Sequence, residues 1–167
     1  IDYFKDGSAL GVNAIHVIED SPLGTSGAVK QLEGEIQERF MVFYGDVVLD
    51  VDLKSFIEFD SAIPSIASII VHPNDHPYDS DLLDIDDKGV VINFYSKPHD
   101  DSKFYLNLVN AAVYIFSPNI FKYIPHDEPT DFGKDIFPLL LKSGEIIRAY
   151  NTSEYIKDIG TGERLRK

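Results

Sequence analysis

The sequence predicts an α/β domain in which helices flank a mixed, mostly parallel sheet. Three observations support this class: near-continuous apolar runs typical of buried strands, intervening segments with helical spacing of apolar residues, and one hairpin late in the chain. A length of 167 residues suits one domain, and no tract rich in Pro, Gly or Ser divides it. We therefore treat residues 1–167 as a single unit.

The first elements are a strand and a short helix. A β-branched run from Gly11 to Ile18 follows a Gly-rich turn and predicts a strand. The segment Pro22–Ser26 predicts a turn, after which Thr25 or Ser26 could cap a helix over residues 27–32.

The next elements surround a Gly-Asp pair. The run from Phe40 to Tyr44 is almost wholly apolar, as in a strand buried on both faces, and it ends abruptly at Gly45-Asp46. Asp52 is predicted to be the N-cap of a helix from Leu53 to Phe59. Asp50 is interpreted as a turn residue between the strand and that helix.

The second half of the chain is rich in strand signals. A buried-type strand is predicted from Ile66 to Val71, and residues 82–94 predict a hairpin that turns at 86–89. The remaining predicted elements are a long β segment from Leu106 to Phe116, helices over Ile120–Ile124 and Asp135–Lys142 with Asp131 as a cap, a strand over Ile146–Tyr150, and a turn leading into a helix over Asp158–Arg166.

The charge balance argues against two kinds of partner. The chain has 28 acidic and 15 basic residues, a formal net charge of −13 and a pI near 4.6. Nucleic acid and anionic membrane surfaces are bound by an excess of Lys and Arg, so we expect neither as a partner. Most of the carboxylates are interpreted as a solvated surface.

Other bulk features bear on location. Cysteine is absent, which excludes disulfides and thiolate metal sites and fits a cytoplasmic protein. No apolar run reaches the roughly 18 to 20 residues that span a bilayer. The N-terminus lacks the basic stretch and apolar segment of a signal peptide. Because the chain opens at Ile1 without a methionine, we expect it to be the middle of a longer protein.

Four places in the chain could carry chemistry. The glycines of Leu23–Gly27 could let a ligand approach the backbone at a helix start. Asp46 follows the end of a predicted strand, the position at which open α/β sheets bind ligands, and its carboxylate could hold Mg²⁺. Lys97, held by the following proline, is a point charge suited to a sugar phosphate, and Asp158 precedes Gly and Thr at a helix start. Taken alone, Leu23–Gly27 and Asp158 are better explained as capped helix starts and Lys97 as a surface lysine, whereas a turn explains Asp46 as well as a metal site does.

The order of these motifs resembles the sugar-1-phosphate nucleotidylyltransferase family over essentially the whole chain. PLGTSGAVKQL at 22–32 is similar to the family's PLGTAGA-type segment, and FMVFYGDVVLDVDL at 40–53 to its strand-Gly-Asp element. VNAAVYIFSP at 109–118 resembles its Asn-Ala-Gly-x-Tyr strand, and EYIKDIGTGERL at 154–165 its closing Asp-Ile-Gly-Thr segment. The resemblance implies the GT-A-like fold of nucleotide-diphospho-sugar transferases.

The resemblance also implies a reaction, in which an NTP and a sugar 1-phosphate give an NDP-sugar and pyrophosphate. The sugar phosphate oxygen would attack the α-phosphorus in line, and positioning and charge neutralisation would provide most of the catalysis. Asp46 and Asp158 would hold Mg²⁺ at the α-phosphate, and Lys97 would hold the sugar phosphate.

Three further residues would bind the substrates by the same resemblance. Asn110 would hydrogen-bond the sugar hydroxyls, and Gly24 and Thr25 would line the nucleoside pocket. One departure lies beside them: Ala112 stands where the family has glycine, which adds a methyl group where the sugar approaches the backbone.

A narrower likeness concerns residues 76–98 and 130–161. These segments resemble bacterial proteins that fuse a nucleotidylyltransferase to a haloacid-dehalogenase-type phosphatase and are associated with activated heptose or mannose for surface glycans. The likeness favours GTP with mannose or heptose 1-phosphate, and in a fused protein of that type the phosphatase would follow Lys167.

The family also has a Gly-rich loop, Leu-Ala-Gly-Gly-x-Gly-Thr-Arg, which wraps the triphosphate and which residues 1–167 do not contain. We therefore expect that residues 1–167 are a partial nucleotidylyltransferase domain without its first βαβ portion, and that they have little or no transferase activity alone. Unpaired strand edges would then favour a homo-oligomer.

Three alternatives stay open at this point. The fold also resembles non-catalytic regulatory or assembly subunits, although retention of Asp46, Lys97 and Asp158 argues for an enzyme. Asp50-x-Asp52 resembles the metal motif of glycosyltransferases, but a turn and a helix cap explain it better. The histidines His72, His76 and His99 could suggest zinc, but their spacing fits known ligand patterns poorly.

Overall fold

Eight strands and three α-helices form the regular structure of residues 3–162 and 164–166, the part of the chain that the computed structural model describes. The strands are β1 (Phe40–Phe43), β2 (Val47–Asp50), β3 (Ala67–His72), β4 (Leu82–Ile85), β5 (Val91–Tyr95), β6 (Val109–Phe116), β7 (Ile147–Asn151) and β8 (Tyr155–Asp158). The helices are α1 (Gly24–Lys30), α2 (Leu53–Ala62) and α3 (Phe137–Lys142). Among these described residues, no helix has the length and apolar character needed to cross a membrane.

The strands form one large and one small sheet. In the large sheet the order is β5-β4-β6-β3-β7, and β1 pairs with the end of β6. The small sheet is a ladder of β2 and β8, in which Val47 lies opposite Asp158. The small ladder therefore connects the segment after β1 to the end of the chain.

The α/β class and the mixed sheet are confirmed, but the expectation that the sheet is mostly parallel is wrong. Among the described strands, only β3 and β7 pair in parallel, and the other pairs are antiparallel. The reason is that β4, β5 and β6 follow one another without an intervening α-helix. The chain reverses between these strands, and reversal gives antiparallel neighbours.

Some local predictions are confirmed and others are wrong. Asp52 caps α2 by accepting hydrogen bonds from the backbone of Lys54 and Ser55. The predicted strand over Gly11–Ile18 is wrong: Ile15 and Ile18 are 74% and 73% exposed. A strand needs a neighbour for its backbone groups, and no described strand pairs with this segment.

The predictions for the second half of the chain are also partly confirmed and partly wrong. Asp131 caps the π-helical turn Phe132–Ile136, as predicted, and α3 follows it directly. The hairpin of β4 and β5 is confirmed. Asp50 is the last residue of β2, not a turn residue, and the final predicted helix is reduced to a 3₁₀ turn at Arg164–Arg166 because β8 extends to Asp158.

Apolar side chains cover both faces of the large sheet. On one face, Tyr114 and Phe116 of β6 pack with the aromatic rings of Phe132 and Phe137. On the other face, residues of the same strand pack beside Phe56 of α2. Successive side chains of β6 point to opposite faces of the sheet, so this strand contributes to the apolar clusters on both faces.

A buried carboxylate in α2 links this helix to β3 and to the residue before β1. Asp60 is 5% exposed, and its carboxylate accepts hydrogen bonds from Arg39 Nε at 2.7 Å, Arg39 Nη2 at 2.5 Å and Ser68 Oγ at 2.7 Å. Replacing Asp60 removes the acceptor of several charge-assisted bonds in the interior.

We expect Asp60→Asn to lower the free energy of unfolding by about 2–3 kcal/mol. The negative charge is lost, and an amide with one acceptor oxygen replaces a carboxylate that accepts from Arg39 and Ser68 through both of its oxygens. Urea unfolding measures this loss. The control is Glu58→Gln in the same helix, where the carboxylate lies 3.9 Å from Lys54 and both side chains are exposed. The control should change stability by less than about 0.5 kcal/mol, and equal losses in the two variants would contradict the prediction.

Candidate active site

A cavity of ≈ 1140 Å³ lies at one edge of the large sheet. Strands β1 and β3 both run antiparallel to β6, and β7 runs parallel to β3, so the carboxyl ends of β1, β3 and β7 share this edge. The cavity is lined by residues that follow each of these strands, including Asp46 after β1, His76 after β3 and Glu154 after β7. Ligands of open α/β sheets bind at this edge.

The structure brings Asp46 and Asp158 together, although they are far apart in the chain. The β2–β8 ladder begins between them, and Ile159 N donates to Asp46 O at 2.8 Å. Both carboxylates face Gly160: a Cβ atom added there would lie 2.6 Å from Asp46 Oδ2 and 3.1 Å from Asp158 Oδ1. The absence of a side chain at Gly160 therefore leaves the space between the two carboxylates open.

This pair fits a hard divalent cation. Carboxylate oxygens are ligands that Mg²⁺ prefers, and Mg²⁺ commonly uses one or two carboxylates with waters and substrate phosphates for its other positions. Within the described ranges, no group of three or more His, Cys, Asp and Glu side chains could hold a metal ion. The two carboxylates of Asp46 and Asp158 suit a cation that takes its other ligands from water and substrate phosphates.

Lys97 lies on the same cavity, in the segment after β5. Its ammonium group donates to Asp79 O at 3.1 Å and lies 3.7 Å from Asp79 Oδ1. Its backbone N–H donates to Asp81 Oδ1 at 3.2 Å, which fixes the backbone beneath the side chain. About half of the Lys97 side chain is exposed, so the ammonium group is accessible from the cavity.

Asn110 also lines the cavity, at a bulge of β6. Its Oδ1 accepts a hydrogen bond from Ala112 N at 3.1 Å, and its Nδ2 donates to Tyr114 Oη at 2.9 Å. An amide group can make further hydrogen bonds beyond these two, so a ligand contact is compatible with them. Ala112 has φ of 56°, in the left-handed region that favours glycine.

The structure does not bring Gly24 and Thr25 into the cavity lining. The predicted cap by Thr25 or Ser26 is also wrong, because α1 begins at Gly24 and its N-cap is Leu23. Thr25 Oγ1 instead donates to Asp131 Oδ2 at 2.7 Å and accepts from Phe132 N at 3.0 Å. These contacts bind the start of α1 to the segment before α3, and a nucleoside contact of Gly24 and Thr25 stays a prediction.

Several polar residues of the cavity are not predicted by the sequence patterns. Asp79 and Asp81 end the polar loop after β3, and Arg164 lies in the last turn of the chain. Burial raises the pKa of the Asp81 carboxyl, and it raises the pKa of Tyr44 to about 12. The only local signal for Asp79 and Asp81 is a long polar loop after a buried strand, which does not distinguish a binding loop from a solvated one.

Comparison with known sequences gives a match across the chain. The family model described as Nucleotidyl transferase matches residues 2–167. A mannose-1-phosphate guanylyltransferase of Mycobacterium tuberculosis is 30% identical over 162 residues, which are 96% of this chain and 44% of the relative. A UTP–glucose-1-phosphate uridylyltransferase of Synechocystis is 29% identical, with 95% of this chain and 44% of the relative covered. The chain thus spans less than half the length of these two curated relatives.

Solved structures give the same result for the fold. HddC from Yersinia pseudotuberculosis, complexed with GMP-PN, is 31% identical with a TM-score of 0.72, and the match covers 99% of this chain and 71% of that one. A putative glucose-1-phosphate thymidylyltransferase from Bacillus anthracis has a TM-score of 0.85 at 20% identity, covering 99% of this chain and 67% of that one. The second likeness concerns the fold alone.

Proposed function

The chain belongs to the nucleotidyl transferase family, and from this membership we propose that it provides part of the active site of a sugar-1-phosphate nucleotidylyltransferase. The observation that carries the proposal is the approach of Asp46 and Asp158 across Gly160, in a cavity that Lys97 also lines. Two carboxylates beside an accessible ammonium group suit a reaction between phosphate groups, because such reactions depend mainly on positioning and charge neutralisation.

Each of the three side chains has a defined task in this proposal. Lys97 holds the phosphate of the sugar 1-phosphate, so that one of its oxygens attacks the α-phosphorus of the NTP in line. A P–O bond to that oxygen forms while the bond between the α-phosphorus and the bridging oxygen breaks, and pyrophosphate leaves. Asp46 and Asp158 would hold Mg²⁺, which would neutralise charge on the phosphates.

We further propose GTP as the nucleotide and mannose or heptose 1-phosphate as the acceptor. The proposal is supported by the guanylyltransferase name of the Mycobacterium tuberculosis relative and by the GMP-PN complex of HddC. The uridylyltransferase relative is the competing possibility. A role in polysaccharide biosynthesis, a cytoplasmic location and a homo-oligomeric state stay predictions from the sequence.

Binding of mannose 1-phosphate tests the role of Lys97. We expect Lys97→Gln to lower the affinity about 10-fold or more in isothermal titration calorimetry, because a charged donor to the phosphate is lost. The matched control is Lys103→Gln, since Lys103 also forms an exposed ion pair with an aspartate, at 3.5 Å from Asp100, and does not line the cavity. Equal affinities for wild type and Lys97→Gln would contradict the proposal.

Catalysis by the 167 residues alone is a separate prediction. The family's Gly-rich triphosphate loop is not found in residues 1–167, so we expect little or no pyrophosphate release from GTP and mannose 1-phosphate. A coupled pyrophosphate assay measures this directly, with UTP and glucose 1-phosphate as the alternative pair. A rate comparable with that of an intact homologue would show that the loop is not required.

A further inference from the structure

Two cations from distant parts of the chain meet on one carboxylate. Arg164 Nη2 lies 2.5 Å from Asp79 Oδ2, and Lys97 Nζ lies 3.7 Å from Asp79 Oδ1. Asp79 is well exposed, whereas the Arg164 side chain is 23% exposed. The Asp79 carboxylate therefore bridges a lysine and an arginine at the surface of the cavity.

This convergence matters because the cavity is acidic. Its lining includes the carboxylates of Asp46, Asp75, Asp79, Asp81, Asp131, Glu154 and Asp158 but only the lysine and arginine cations of Lys97, Lys134, Lys157 and Arg164. A phosphate dianion entering such a cavity needs a position where positive charges act together. The Asp79 position meets this need, since two cations already share one anion there.

The chemistry of the two cations fits a phosphate monoester. An arginine guanidinium presents paired donors that match phosphate oxygens, and a lysine ammonium adds a point charge. We propose that Arg164 is a second phosphate-binding residue beside Lys97, and that Asp79 occupies the phosphate position in the free protein and leaves it when the sugar 1-phosphate binds. This inference rests on the proposed function of Lys97.

Arg164 is held in position independently of Asp79. Its backbone N–H donates to Thr161 Oγ1 at 3.2 Å, and Leu165 N donates to Thr161 O at 2.9 Å, which closes the turn that carries the side chain. The guanidinium also forms an ion pair with Asp158. Arg164 therefore stays at the cavity after Asp79 moves away, and it connects the phosphate position to one of the proposed metal carboxylates.

The test is equilibrium binding of mannose 1-phosphate and of inorganic phosphate, without divalent cation and with free mannose as the blank. We expect Arg164→Gln to lower the affinity for both phosphates about 10-fold or more, and Arg164→Lys to lower it less because the charge remains. We expect Asp79→Asn to raise the affinity about 3- to 10-fold, because the free protein no longer fills the site with its own anion. Binding of mannose 1-phosphate but not of inorganic phosphate would mean that the sugar, not the phosphate, provides the affinity, and would overturn the inference.

Controls separate this inference from the proposed function. Lys103→Gln and Asp100→Asn change an exposed lysine–aspartate pair outside the cavity and should leave both affinities unchanged. If Lys97→Gln loses affinity while Arg164→Gln keeps the wild-type value, the inference is wrong and the proposed function stands. If Lys97→Gln has no effect, the proposed function itself fails.

Two further results decide the role of Asp79 and guard against misfolding. Weaker binding in Asp79→Asn would overturn the view that Asp79 competes with the phosphate. Thermal unfolding checks each variant, because Arg164→Gln leaves Asp158 without its ion-pair partner. If Arg164→Gln does not fold, the phosphate affinities of Arg164→Lys and Asp79→Asn provide the test. Wild-type affinities in both of these variants would overturn the inference.

Discussion

Asp46→Asn is expected to abolish measurable binding of a divalent cation to the 167-residue chain. Asp46 and Asp158 both face Gly160, so replacement of Asp46 leaves one charged ligand of this pair. Replacing the residues that merely support metal ligands costs about 10- to 100-fold in affinity, and we therefore expect the loss of a direct ligand to cost at least about 100-fold. Titration with Mn²⁺ followed by electron paramagnetic resonance measures the affinity.

The design includes a second ligand variant and a matched control. Asp158→Asn should lose the cation as well, but this change also breaks the ion pair with Arg164, so Asp46→Asn is the cleaner variant. The control is Asp50→Asn, which alters an exposed aspartate of the same β2–β8 ladder that does not line the cavity. Wild-type Mn²⁺ affinity in both Asp46→Asn and Asp158→Asn would contradict the assignment of the metal carboxylates.

Gly24→Ala is expected to give the largest loss of stability. Gly24 has φ of 73°, and a Cβ atom there would lie 2.3 Å from the carbonyl oxygen of Thr130. That oxygen accepts from Ser26 N at 3.1 Å, and Thr130 N donates to Leu23 O at 2.9 Å, so the backbone cannot move away without losing both bonds. We expect about 4 kcal/mol of lost unfolding free energy from the left-handed backbone and the overlap together.

The control for Gly24→Ala isolates the overlap from the backbone conformation. Gly144 has φ of 77°, and among the described residues no atom beyond its own chain neighbours lies within 4 Å of an added Cβ. Gly144→Ala should therefore cost only about 1 kcal/mol, from the left-handed conformation alone. Urea unfolding measures the free energy of unfolding that each variant loses. Equal losses in the two variants would mean that the overlap with Thr130 is relieved at no cost in stability, which would contradict the prediction.

The sequence predicted those parts of the fold that depend on neighbouring residues. The caps at Asp52 and Asp131 were predicted because a side chain close in sequence accepts the first free N–H groups of a helix. The buried strand β3 was predicted because its apolar run is nearly continuous. Such features need no knowledge of distant chain segments.

Features that depend on distant residues were missed or predicted wrongly. Strands β2 and β8 have four residues each and exist through pairing with each other across most of the chain. The segment Gly11–Ile18 has strand composition but no described partner strand, and composition cannot supply one. The left-handed Ala112 marks a bulge of β6 that the alternation of apolar residues did not reveal.

The residues of the candidate site were likewise partly predicted from the sequence and partly missed. Asp46, Lys97 and Asp158 were identified from the order of their motifs, and the structure brings all three to one cavity. Arg164 and Asp79 were missed because their role depends on the ion pair between them, and they are far apart in sequence. Thr25 was expected at a ligand, but its hydroxyl is bonded to Asp131 and Phe132.

We propose that one cavity binds both a divalent cation and a sugar 1-phosphate. Paramagnetic relaxation of the ³¹P signal of mannose 1-phosphate by Mn²⁺, corrected for the effect without protein, tests it most directly. We expect strong enhancement with the wild-type chain, its loss in Asp46→Asn and in Lys97→Gln, and its retention in Asp50→Asn and Lys103→Gln. Enhancement that persists unchanged in both Asp46→Asn and Lys97→Gln, or its absence in the wild type, would contradict the claim.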